Sequence, residues 1–169
     1  MTLHHTTETL LRTLLIGAGA TVAMDLWALL LRAVGVRSLD FALLGRWLGH
    51  LPRQWRHTHI TQAKPVRGER LLGWCAHYAI GISFAALLLA LVGLPWARTP
   101  SWPPALAVGV ATVVAPLFVL QPALGLGIAS ARTRTPVFNA LKSVATHTVF
   151  GCGLYLAALA TAGLVPAAA

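Results

Sequence analysis

Gly73-Trp74-Cys75-Ala76-His77-Tyr78-Ala79-Ile80-Gly81 lies inside an apolar run that extends from Leu71 to Leu94. A second stretch, Ser143-Val144-Ala145-Thr146-His147-Thr148-Val149-Phe150-Gly151, lies inside another, from Val137 to Gly163. Each sets a histidine between a small residue one turn before and a glycine one turn after. Two more apolar runs, Thr13–Val34 and Ala105–Ala129, complete the set. Each run is long enough to cross a hydrocarbon core about 30 Å thick, which takes about 20 helical residues. Inside lipid the backbone must bond within a helix or a closed barrel, and barrel strands are far shorter than these runs. The chain therefore reads as an all-α membrane protein, a single domain over residues 1–169 with four transmembrane helices.

Composition agrees with the patterning. Hydrophobic residues make up 57% of the chain and charged ones only 10%, with a mean hydropathy of +0.72, outside the soluble range. A net charge of +9 would suggest nucleic acid in a soluble protein, but its distribution argues against that partner. Arg32, Arg37, Arg46, Arg53, Arg56, Lys64, Arg67 and Arg70 flank or occupy the first connection, and Arg132, Arg134 and Lys142 the third. The opposite side holds Arg12 and Arg98. Such a bias places the basic connections in the cytoplasm, with the N- and C-termini outside. It fits a multi-pass protein of a bacterial inner membrane whose basic face can hold anionic lipid headgroups. The first run continues well past any cleavage-like site and follows a leader with little positive charge, so it reads as a retained helix.

The runs also align in pairs. The histidine stretches match each other, and Ala20-Thr21-Val22-Ala23-Met24-Asp25 matches Ala111-Thr112-Val113-Val114-Ala115-Pro116. The order points to a duplicated two-helix hairpin whose copies are parallel, related about the membrane normal. The first connection is the longer. Within residues 39–51, Phe41, Leu44, Leu48 and Leu51 recur at helical spacing before Pro52. This predicts a short amphipathic helix at the inner surface. On the other side, Pro95, Pro100, Pro103 and Pro104 stiffen the turn, and Trp96 and Trp102 suit the interface.

Asp25 is the carboxylate inside the spans so bounded. Its helix face, Ala18, Thr21, Asp25, Ala28, is small and polar, whereas Ile16, Val22, Leu26 and Leu30 suit lipid. Counting residues puts Asp25 roughly 14 Å, and His77 and His147 roughly 9–15 Å, from the basic end. Gln121 lies near the inner end of the third span and Lys142 near that of the fourth. Ionisable groups at such depth need partners and frequently have functions. Asp25, His77, Gln121 and His147 form the candidate ligand-binding set. Asp25, His77 and His147 also suit a divalent metal, and the two histidines permit a bis-histidine haem. The plainer alternative is a hydrogen-bonded knot that orients the helices, as in a structural or assembly partner. His50, His57 and His59 form a weaker loop cluster without zinc-type spacing. No phosphate loop, nucleophile elbow or dinucleotide fingerprint is present, which argues against an enzyme. The oligomeric state is left open, a homo-oligomer included.

Gly73-Trp74 with His77-Tyr78 and Gly81, Gln121-Pro122-Ala123-Leu124-Gly125-Leu126-Gly127, and His147-Thr148-Val149-Phe150-Gly151 together resemble the domain of unknown function 2938 family. The resemblance implies a small four-helix bacterial inner-membrane protein and supplies no activity. From the residues themselves, the expected function is non-enzymatic binding or translocation of a small cation, proton or polar ligand.

Overall fold

The computed structural model describes residues 2–165, with side chains from His5. The extreme termini, whose side of the membrane the charge bias assigns, lie outside the described residues. Helix α1 covers Thr2–Ala33 and α2 Phe41–His50, followed by α3 (Glu69–Val92) and the short α4 (Leu94–Arg98). Helix α5 (Trp102–Ala111) leads through a π-helical segment, Ala115–Leu120, into α6 (Gln121–Ala123), and α7 runs over Pro136–Leu164. Among the described residues, four stretches are long and apolar enough to cross a membrane: His5–Ala33, Glu69–Val92, Trp102–Leu124 and Pro136–Leu164. The protein is thus an all-α, multi-span membrane protein.

Packing is unequal around the bundle. Helix α1 lies between α3 and α7, α5 lies on α7, and α3 and α5 barely meet. Close approach depends on glycine. A Cβ at Gly81 would collide with the Thr21 hydroxyl, and one at Gly109 with the Gly151 backbone. Small residues at crossings are how membrane helices gain van der Waals contact where lipid offers no hydrophobic drive. Because α1 is flanked on two sides, Ile16 is fully buried, contrary to its expected lipid exposure, while Val22, Leu26 and Leu30 do face outward.

Three further expectations change. First, the third span is broken. Pro116 has no N–H to return to the Thr112 carbonyl, which takes the Ala115 N–H at 3.0 Å instead, and the chain widens into a π segment closed by Gln121 N–H on the Pro116 carbonyl. A proline in a membrane helix is tolerated through such local rearrangement. Second, Trp96, expected at the outer interface, is buried against the apolar core, and its indole N–H donates to the Ser101 carbonyl. Third, Arg12, read as a stray outer charge, is fully buried. It pairs with Glu8 at 2.8 Å and donates to the carbonyls of Ala97, Thr161 and Val165. It thereby ties α1 to the end of α4 and to the C-terminal turn of α7, where a helix leaves carbonyls in need of donors.

The amphipathic segment forms as a helix, capped by Asp40, whose carboxylate accepts the Ala42 N–H at 2.9 Å. It does not rest its apolar side on lipid. Gly45 sits on the Glu69 carbonyl, Gly73 on the Phe41 carbonyl, and Gly49 against Val66, so α2 runs antiparallel along the start of α3. Leu44 and Trp47 pack with Ile60, Ala123 and Leu124. Across the same contact Arg46 pairs with Glu69 at 2.7 Å.

Candidate intramembrane site

Asp25 emerges from α1 opposite the third turn of α3. Its Oδ1 lies 3.0 Å from His77 Nε2, and its Oδ2 accepts the Tyr78 hydroxyl at 2.9 Å. Both oxygens are engaged by consecutive residues because side chains at neighbouring helix positions point about 100° apart and so straddle the carboxylate. The side chains are mostly shielded, 12% exposed for His77 and 20% for Asp25. The Phe41 ring stacks on the imidazole, centroids 4.1 Å apart and planes at 25°, with Trp74 against Phe41 at 4.7 Å. The close passage of α2 over Gly73 is what brings Phe41 there.

The chemistry of this pair centres on one proton. With the proton on nitrogen, an imidazolium faces a carboxylate and the site is neutral. With the proton on oxygen, a carboxylic acid donates to a neutral imidazole, and the site is again neutral. The Oδ1–Nε2 bond survives either placement. Removing the proton leaves a net negative charge in a low-dielectric setting, which is costly without a counter-ion. The Tyr78 hydroxyl stabilises the carboxylate without supplying charge.

His147 has different company. Its Nδ1 is 2.9 Å from the Thr112 hydroxyl, which also donates to the Gly109 carbonyl at 2.6 Å. Gln121 donates to Ser143 at 3.2 Å and accepts from Ser130 at 3.0 Å. Ala129 and Ser130 both have positive φ, 49° and 63°, a left-handed conformation unfavourable for L-residues. The Ser130 bond ties that strained turn to Gln121. Lys142 leaves the span to reach the Arg37 carbonyl at 2.7 Å. Thus Asp25 and His77 are brought together, whereas His147 and Gln121 belong to the packing of the third span on α7. Among the described residues no group of three or more His, Cys, Asp or Glu is placed to hold a metal ion.

A family model described as a protein of unknown function, DUF2938, matches residues 14–161. The chain belongs to the DUF2938 family. No curated protein and no solved structure matches the chain. The part of this DUF2938 protein that matches the family includes Asp25, His77, Tyr78, Thr112 and His147, while the buried Glu8 and Arg12 precede it.

Sequence reasoning missed Tyr78 and Phe41 as members of the site. Tyr78 had a signal, since it directly follows the intramembrane histidine. Phe41 had only an indirect one: Gly45 and Gly49 on α2 and Gly73 on α3 are the small residues that permit helices to touch.

Proposed function

We propose that this DUF2938 protein is a non-enzymatic bacterial inner-membrane protein that binds a proton at Asp25–His77, reached from the cytoplasmic side, and exchanges it for a small cation. The observation that supports this reading is the double engagement of Asp25 by His77 and Tyr78. Loss of the shared proton leaves a carboxylate with two neutral donors, and a cation is the natural replacement for that charge. The basic connections orient this end toward the cytoplasm, with both termini outside and anionic headgroups around the loops.

The duplicated hairpin belongs to the same reading. Gly81 and Gly151, each one turn after its histidine, are both crossing points, against α1 and α5 in turn. The copies then differ where Asp25 in the first aligns with Pro116 in the second. In this reading a proline stands in the second copy where the first has the carboxylate, and His147 bonds Thr112, one turn from that proline. The bis-histidine haem alternative lacks comparable support, because the two histidines are engaged on separate helix pairs.

The test is proton movement in liposomes of the purified protein with a pH dye inside. A cation gradient should change the internal pH with the wild type and with His147→Gln, and fail to do so with Asp25→Asn or His77→Gln. Equal responses from wild type and Asp25→Asn would leave the pair as a packing element, and the protein as a structural or assembly partner.

A further inference from the structure

The loop after α2 docks onto the basic end of the third span. The His57 N–H donates to the Ala123 carbonyl at 2.9 Å and the Ile60 N–H to the Leu124 carbonyl at 3.2 Å. Docking forms two open clefts that share His57 and Thr58 in their lining. One, of about 310 Å³, is also lined by His50, Gln54 and Lys64. The other, of about 470 Å³, is also lined by Arg56 and Arg132. Both are far larger than the roughly 30 Å³ share of a water molecule in the liquid.

His57 is only 7% exposed, and its Nε2 is a buried side-chain nitrogen with no hydrogen-bond partner, the sole such side-chain atom among the described residues. A buried polar atom left unpaired is costly, and a native example calls for a partner. Burial first, and His50 second, hold the His57 ring below the usual imidazole range, so the neutral ring offers a single N–H donor. The charged side chains lining the two clefts are Lys64, Arg56 and Arg132, and no carboxylate lines either. Glu69, at the start of α3, is committed to Arg46. A metal cation entering here would meet like charge on both sides, whereas an oxyanion would meet the donors of Lys64 or of Arg56 and Arg132 and, with the His57 proton on Nε2, that N–H as well. Arginine, lysine and imidazole N–H groups converge in this way on phosphate oxygens.

We infer that His57, with Lys64 in one cleft and Arg132 in the other, forms a binding site for a phosphate group at the basic end of the bundle. The group comes either as free phosphate or as the headgroup of an anionic lipid, whose phosphates lie at this level of the membrane. This site is separate from Asp25–His77 and does not depend on proton exchange there.

The experiment uses the full chain, ¹⁵N-labelled at histidine, in maltoside micelles free of phosphate. The His57 resonance is assigned by its loss in His57→Gln. Inorganic phosphate is titrated in one arm and phosphatidylglycerol in the other, with uncharged diacylglycerol as control. A saturable shift of the His57 signal is expected in at least one charged arm. Phosphate acting alone identifies the free ion, and phosphatidylglycerol acting alone identifies the headgroup. Lys64→Gln or Arg132→Gln should weaken binding about tenfold, the loss of one charge-assisted hydrogen bond, while Arg53→Gln, outside both clefts, should change it little. Should His57→Gln fail to fold, calorimetric phosphate or lipid binding to the other three variants makes the same comparison. No shift in either arm, or equal weakening by Arg53→Gln and Arg132→Gln, would overturn the inference, leaving a water-filled cleft or diffuse surface charge.

Discussion

Asp25 and His77 join α1 to α3 through a 3.0 Å contact between Oδ1 and Nε2, whereas the matching histidine of α7, His147, is held by the Thr112 hydroxyl at 2.9 Å. The first arrangement pairs two ionisable groups, and the second pairs one with a neutral hydroxyl. Only the first can carry a proton and remain uncharged in both of its internal forms. That asymmetry makes the first helix pair the functional half of the bundle in our reading.

Gly73→Ala should lower stability by about 1–3 kcal/mol, the usual cost of overpacking a filled contact. Its Cβ would occupy the space of the Phe41 carbonyl, forcing α2 away from α3 and the Phe41 ring off His77. Thermal unfolding in detergent measures the first effect, and the His77 resonance reports the second. An unperturbed melting temperature would show that α2 is loosely attached.

Arg12→Gln should cost more, about 3–5 kcal/mol, the range for breaking a buried charge pair. Glu8 would keep its 2.6 Å partner Arg98, but the carbonyls of Ala97, Thr161 and Val165 would lose a shared donor. The loss should appear as lower thermal stability, with hydrogen exchange rising first in the last turns of α7. A variant as stable as the wild type would remove Arg12 from any role in holding that end together.

Acid should loosen the loop that His57 anchors. Its folded-state pKa lies below the unfolded value because of burial and the nearby His50, so the unfolded chain takes up the proton first. The stability His57 contributes is complete above about pH 6.5, the ordinary imidazole value, and is lost as pH falls through the folded value. Unfolding temperatures should therefore decline below about pH 6.5 in the wild type, and less steeply in His57→Gln. Parallel declines in the two proteins would contradict this assignment.

The four spans were legible in the sequence because long apolar runs have one solution in lipid, and the intramembrane position of Asp25, His77, Gln121 and His147 followed with them. Which of these meet was not legible. Residue counting gives depth along a helix, while the Asp25–His77 contact depends on the rotation of α1 against α3, fixed by Gly81 and Thr21. The π segment escaped notice because Pro116 inside an apolar run carries no signal of how the backbone will recover. Helix α2 was found by its period, but periodicity cannot tell a lipid-facing side from one covered by protein. Its contact with α3 was written instead in Gly45 and Gly73. Arg12 misled because counting basic residues treats each as solvated, and this one is paired inside the bundle.

Nitrogen NMR of His77 in bilayers, followed across pH in the wild type and in Asp25→Asn, tests the central claim most directly. A proton shared with Asp25 predicts a His77 Nε2 signal intermediate between the neutral and charged forms. In Asp25→Asn the ring should revert to an ordinary neutral imidazole. A His77 signal identical in the two proteins at every pH would contradict the account.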